Sequence, residues 1–215
     1  MRLSIESVLH LRVARLAPAF PVTVTATRGT AVLRRDGFDR MLVPRLPCRV
    51  EAFQGFDLLM AGSMAQPAGC RIDIAPATDH SDQPLLHRVL SRRIFLQPDL
   101  PWSAGFAAGL LGVSPERIRR ALFAEGAAFG DLCRTQRLMR LLFEAPHERA
   151  GLPSLKRGVG WPPGQDVESS FHDRFGITLD LLRHVTAADD VLRHAGPPLR
   201  AAPPAAHYWP SLSPA

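Results

Sequence analysis

Apolar and polar positions alternate with a period of two early in the chain and recur at three and four in its second half. Val22-Thr23-Val24-Thr25 alternates as a half-buried strand does, one side chain in and the next out. Gly29 and the Asp36-Gly37 pair punctuate the neighbouring runs, and Asp-Gly signals a hairpin because its glycine accepts positive φ. Leu42-Val43, Cys48 to Phe53 and Phe56 to Met60 are further short apolar runs, interrupted by Pro44, Pro47 and Gly55. The pattern predicts four to six short strands within residues 1–96, closed as a small barrel or sandwich. Leu85 to Phe95 carries Leu86, Val89, Leu90 and Ile94 at helical spacing, which predicts a connecting helix near 85–95. It serves either dimerisation or packing on its own domain, and packing is preferred because most amphipathic stripes are core.

Pro98 and Pro101 break the chain near residue 97, and helical periodicity runs from Asp99 to His184. Pro197, Pro198, Pro203, Pro204, Pro210 and Pro214 then stand among alanines, so residues 187–215 are expected to be a disordered tail. The expectation is an α+β chain, with a β-rich regulatory or oligomerisation domain over 1–96 and an all-α domain over 97–186.

The helical half opens on a recognisable local grammar. Ser103 is placed to cap a helix whose inner face carries Phe106, Ala107, Leu110 and Leu111. Gly112-Val113 supplies a tight turn, and Ser114 caps a second helix with Pro115 at its first position, where a missing N–H costs nothing. Two short helices joined by a glycine-containing turn form a helix-turn-helix. At 100° per residue, Ile118, Ala121 and Leu122 fall on one side of the second helix, with Glu116, Arg119, Arg120 and Phe123 opposite. Arginine on such a face can bridge guanine O6 and N7, and glutamate can accept from cytosine N4. An exposed, merely solvated charged face is the alternative.

Composition narrows the classes. Twenty-six basic residues oppose 20 acidic ones, a net of +6, which makes an anionic partner such as nucleic acid a candidate. No apolar window is long enough to span a membrane, and Glu6, His10, Arg12 and Arg15 interrupt the opening stretch that a secretory signal would need uncharged. Cys48, Cys70 and Cys133 are odd in number and far apart, so reduced thiols in a cytoplasmic protein are expected, not a disulfide framework or structural zinc site. The H-x-H pair of a metal-binding cupin-like site is absent, as are the G-x-S-x-G, phosphate-loop and H-E-x-x-H patterns. Asp79-His80-Ser81 sets three catalytic residue types side by side, but triads are assembled in space, and the surrounding residues read as a turn. Neither an enzyme nor a cofactor is expected.

In order, Trp102, Ala108, Ser114-Pro115, Ile118, Arg120, Glu125-Gly126, Phe129, Leu132, Arg137 and Leu141-Leu142 form a pattern with a second part. That part is Gly160-Trp161, Val167, Phe171, Phe175-Gly176 and Thr178. Together they resemble the AraC-type (AraC/XylS) transcription regulators over about residues 99–184. The resemblance implies a seven-helix DNA-binding domain with two helix-turn-helix units. Its recognition helices, Ser114 to Ala124 and about Pro163 to Arg174, would enter adjacent major-groove segments about 34 Å apart. The helix from about Phe129 to Glu144 would hold them apart. Glu116, Arg119, Arg120, Gln165 and Ser169 are the base-reading candidates. Ser114, Arg117, Arg134 and Arg140 are the phosphate candidates. Ile118, Leu122, Val167 and Phe171 are expected in the core, and Arg137 is read as structural, with a phosphate contact as its alternative. The implied partners are double-stranded promoter DNA and RNA polymerase, with a small-molecule effector or regulatory protein as candidates at the front half. The chain would act as a cytoplasmic activator, a monomer or homodimer.

The second unit departs from the family pattern. Lys156 stands where a small residue is usual, Pro162 where a capping Ser or Thr is usual, and Leu179 replaces a proline; the arginine common near Ser169 is missing. Residues 117–140 hold six Arg against Glu125 and Asp131, a net of +4, whereas residues 141–184 hold five basic and six acidic residues. The first unit is therefore expected to supply most of the grip on phosphate. A degenerate member acting through protein contacts, as an anti-activator or co-regulator, is the alternative. At about 96 residues the front half reads as short for a jelly roll plus dimerisation helices.

Overall fold

The computed structural model describes residues 1–74, 85–148 and 151–186. The Asp79-His80-Ser81 turn and the 187–215 tail lie outside them.

Among the described residues the front half holds eight strands: β1 (Arg2–Ser7), β2 (His10–Leu16), β3 (Val22–Arg28), β4 (Thr30–Arg35), β5 (Phe38–Leu42), β6 (Cys48–Val50), β7 (Phe56–Ala61) and β8 (Ala68–Ile74). They form two antiparallel sheets with orders β1-β8-β3-β6 and β2-β7-β4-β5. That is a double-sheet jelly roll, completed in fewer residues than its expected length. Alternation builds it: Leu3 and Ile5 on β1, Val13 on β2, Val24 on β3, Leu58 on β7 and Ile72 on β8 all turn inward and are buried. Asp36 and Gly37 both adopt left-handed φ, 51° and 81°, closing the β4–β5 hairpin where the sequence places it. The expected count of four to six strands falls short because β1, β2 and β8 carry outward charges such as Glu6, Arg12 and Arg71, which dilute their apolar signal.

Seven helices follow among the described residues: α1 (Leu86–Leu96), α2 (Ala104–Leu111), α3 (Pro115–Ala124), α4 (Phe129–Glu144), α5 (Leu152–Gly158), α6 (Val167–Phe175) and α7 (Leu179–Thr186). The implied seven are reached only by counting α1 with the helical half, against which it packs on α4 and α3. Two hydrophobic cores organise the molecule. The larger fills the sandwich and continues through Phe95, the Leu138–Phe143 part of α4 and Ala145 into Leu155, Trp161, Phe171, Phe175 and Leu182. Phe20, Phe95 and Phe143 meet edge to face along this path, at centroid distances of 5.8 and 6.4 Å. The smaller core joins Leu90 and Ile94 of α1 to Trp102, Ala107, Ala108, Ile118, Leu122 and Cys133. α6 and α7 pack directly on β2 and β1.

The segment after α1 is pinned from three sides. Arg137, only 9 % exposed, donates from Nε to the Pro98 carbonyl and from Nη2 to the Leu100 carbonyl, both at 3.1 Å. Trp102 Nε1 donates to Gln97 O at 2.7 Å. Gly160, at φ 61°, approaches so closely that a Cβ there would collide with the Pro98 carbonyl and lie 2.9 Å from Asp99 Cα. Arg137 is thus structural, as its position predicts. Among the described residues no helix is long and apolar enough to cross a membrane, and no cluster of three or more His, Cys, Asp or Glu is placed to hold a metal.

Candidate nucleic-acid interface

Local capping sets the direction of α3. Ser103 Oγ accepts from Phe106 N at 3.0 Å to start α2, and Gly112, left-handed at φ 65°, ends it. Ser114 Oγ accepts from Arg117 N at 3.2 Å, with Pro115 in the first turn, and α3 departs from there. Ile118 and Leu122 are buried in the smaller core, which fixes the rotation of α3 about its axis. Glu116, Arg117, Arg119 and Arg120 consequently stand exposed. Glu116 Oε1 accepts from Arg119 Nη1 at 3.2 Å, an exposed pair that water and salt weaken and that a ligand can displace at little cost. Phe123 extends the same face and is 84 % exposed.

Of the other phosphate candidates, Arg134 is exposed on α4. Arg140 is not: its Nε donates to Glu144 Oε1 at 2.6 Å, and its guanidinium lies 5.7 Å from the centroid of the Phe95 ring. The structure therefore brings Ser114, Glu116, Arg117, Arg119 and Arg120 together on one helix and turns Arg140 toward the protein. Glu144, four residues beyond Arg140, is the sequence signal for that pairing.

The second unit begins later than its sequence expectation. α6 starts at Val167, not near Pro163, because Pro162 to Gln165 close a turn, with Gln165 N donating to the Pro162 carbonyl at 3.1 Å, and Asp166 provides the cap. Asp166 Oδ1 accepts from Glu168 N at 2.9 Å and Ser169 N at 3.3 Å, while its Oδ2 accepts from the Ser169 hydroxyl at 2.6 Å. The Ser169 hydroxyl and these amides hold the Asp166 carboxyl below its ordinary value. Gln165 is exposed in the preceding turn, and its carbonyl accepts from Lys156 Nζ at 3.2 Å. Val167 and Phe171 are buried as expected, and the exposed residues of α6 are Glu168, Ser169, His172 and Asp173. This face is acidic where that of α3 is cationic.

Glu125 has a role that sequence spacing did not show. The carboxylate accepts from the backbone N–H groups of Leu86 at 2.8 Å and His87 at 2.7 Å and stands 2.9 Å from His87 Nδ1. α1 has no side-chain cap of its own, so the residue that ends α3 caps α1 across 39 positions. Burial opposes the charge of Glu125, but the His87 and Leu86 amides and the His87 ring outweigh it and hold the carboxyl below its ordinary value.

No protein-family model and no curated protein sequence matches the chain. Solved structures do. ToxT from Vibrio cholerae aligns over 86 % of this chain and 98 % of its own, at a TM-score of 0.63 and 10 % identity. ToxT of Vibrio cholerae strain SCE256, with an unsaturated fatty acid bound, aligns over 87 % and 96 %, at a TM-score of 0.61 and 9 % identity. The chain thus has the fold of ToxT, a β-rich front half followed by helices.

Proposed function

We propose that the chain is an AraC-type transcription regulator that binds double-stranded promoter DNA through two helix-turn-helix units, α2–α3 and α5–α6, and acts as an activator. The observation that carries this reading is the face of α3, where Glu116, Arg119 and Arg120 stand exposed on a helix whose opposite side is fixed in a core. A helix presented in this way suits the major groove, with Arg taking guanine bidentately and Glu accepting from cytosine. Ser114, Arg117 and Arg134 are the accompanying phosphate contacts. Gln165 and Ser169 read bases weakly in the second unit, beside the like charge of Glu168 and Asp173. The ToxT fold supports the assignment. RNA polymerase is the partner suited to the second unit, and the fatty acid on ToxT makes a small-molecule effector the candidate input at the front half, ahead of a regulatory protein. The protein acts in the cytoplasm as a monomer or homodimer.

Selection of bound fragments from random duplex DNA, followed by titration on the enriched site, tests the proposal. Arg119→Ala and Arg120→Ala should each weaken binding by about 1–3 kcal/mol and relax preference at one base pair. Arg117→Ala should weaken all sequences alike and lower the salt slope by about one. Enrichment of no motif, or larger losses at Gln165 and Ser169 than at Arg119 and Arg120, would sink it. The acidic face of α6 favours one second reading, a regulator acting through protein contacts. Its signature is the absence of a steep salt dependence on DNA.

A further inference from the structure

Phe123 is the most exposed large apolar side chain among the described residues, at 84 %. Its exposure does not come from a loosely set helix. Ile118 and Leu122 fill the smaller core from the other side of α3, and two backbone bonds close the end of the helix. Gly126 N donates to Phe123 O at 3.0 Å, and Ala127 N donates to Leu122 O at 2.8 Å. The ring is thus carried outward on a fixed backbone. α3 has no basic residue in its last turn, the place where a cation would answer the negative end of the helix dipole. A phenyl ring stands there instead, in water.

The neighbours of the ring identify what covers it. At 100° per residue, Glu116, Arg119, Arg120 and Phe123 lie within an arc of about 100°. Arg119 and Arg120 precede Phe123 by four and three residues, the spacings at which helix side chains adjoin. Both are exposed, and Arg119 Nη1 donates to Glu116 at 3.2 Å. An apolar protein surface laid on Phe123 would strip water from these cations and give nothing in return, which is costly. A second copy of α3 would set arginine against arginine. The major groove of DNA offers both kinds of contact on one surface. It holds acceptor atoms for the guanidinium groups and one apolar group, the C5 methyl of thymine.

We infer that Phe123 is a specificity-determining residue of α3, its ring covering the C5 methyl of a thymine beside the base pairs that Arg119 and Arg120 read. At about 1.5 Å per residue, Phe123 lies about 4.5–6 Å beyond these arginines along the helix axis. That is one to two base steps of about 3.4 Å. The site read by α3 therefore carries a thymine one or two base pairs from the guanine, on either strand, since both strands show their methyl groups in the same groove. The inference rests on the DNA-binding reading and adds to it a base that no hydrogen bond selects.

Selection from random duplex DNA with the full chain supplies the site. Each thymine within it is then replaced by deoxyuridine, which removes the methyl and leaves every hydrogen-bonding group in place. One such replacement should weaken binding by the parent about fourfold, the worth of one methyl group returned to water. Phe123→Ala should bind the thymine site more weakly than the parent and lose the difference between thymine and uracil at that position. Its guanine preference should persist, and its salt slope should equal the parent's, because the ring neutralises no phosphate. Phe123→Leu should keep part of the difference. The urea midpoint of Phe123→Ala should match the parent's, since the exposed ring supports no core, and the change in affinity is then a change at the interface. A selected site lacking thymine at that spacing, or uracil penalties equal in the parent and Phe123→Ala at every position, overturns this inference alone and leaves the DNA-binding reading intact. Enrichment of no motif overturns both.

Discussion

Replacing Glu125 by Gln separates the charge of the α1 cap from its shape. The carboxylate receives two backbone N–H groups and faces one imidazole nitrogen. Glutamine keeps one acceptor oxygen and turns an NH₂ group toward the remaining donor. Hydrogen bonds to a charged group contribute roughly 1.5–3 kcal/mol and neutral ones roughly 0.5–1.5 kcal/mol, so one lost bond and one weakened bond cost about 3 kcal/mol. With a urea dependence of about 2 kcal/mol per molar, the unfolding midpoint falls by about 1.5 M. Tryptophan fluorescence is a suitable reporter, since Trp102 lies in the same core as α1. The pH dependence follows from the depressed carboxyl, whose ordinary value is 4.5. Its stabilisation is complete above that value and is lost as pH falls through the lower folded value. The gap between parent and variant should therefore be full at neutral pH and close in acid. An unchanged midpoint at neutral pH, or a gap that stays constant down to about pH 3, would refute the cap.

Arg137→Met strips two carbonyls of their donor and should cost about 3 kcal/mol in urea unfolding; Arg137→Lys should rescue little, since an ammonium lacks the fork that reaches both. Gly160→Ala should cost about 2–4 kcal/mol, combining a left-handed alanine with overlap on Pro98. Gly164→Ala, which meets open space, should be near neutral by the same measurement. Burial pushes the Cys70 thiol up to about 12 and that of Cys133 up to about 11, and Cys48 is buried too. A thiol reagent should therefore label none of them in the native state at neutral pH and all three in urea; rapid native labelling of any one contradicts that burial.

What the sequence reveals here is what short range determines. The Ser103 and Ser114 caps, the Gly112 turn and the Asp36-Gly37 hairpin are each settled by a few neighbouring residues, and all stand where the pattern puts them. The start of α6 was legible in principle, since Asp166 is a capping residue three positions before Ser169, but the double proline drew the expected start too early. Sheet partnership is another matter. β1 pairs with β8 across most of the front half, and nothing local in Leu3 or Ile5 names Ile72 and Cys70 as their partners. The same holds for Glu125 on α1 and for Arg15 against Arg174, contacts that exist only once distant elements have packed. The exposed face of α3 was readable because Glu116, Arg119 and Arg120 share one helix; the engagement of Arg140 by Phe95 was not.

The division into two cores also sets how the molecule can come apart. α4 contributes Cys133 to the smaller core and Leu138 through Phe143 to the larger, so one continuous rod belongs to both at its two ends. Cooperative opening follows packing, not chain order, and this places α1 to α3 in one unit and the sandwich with α5 to α7 in the other. Amides of α2 and α3 should then exchange with solvent through a partial opening that leaves α6 and α7 as protected as the strands beneath them. A fragment cut at residue 97 would separate Leu90 and Ile94 from the helices they support, whereas one beginning at Leu85 keeps that unit whole.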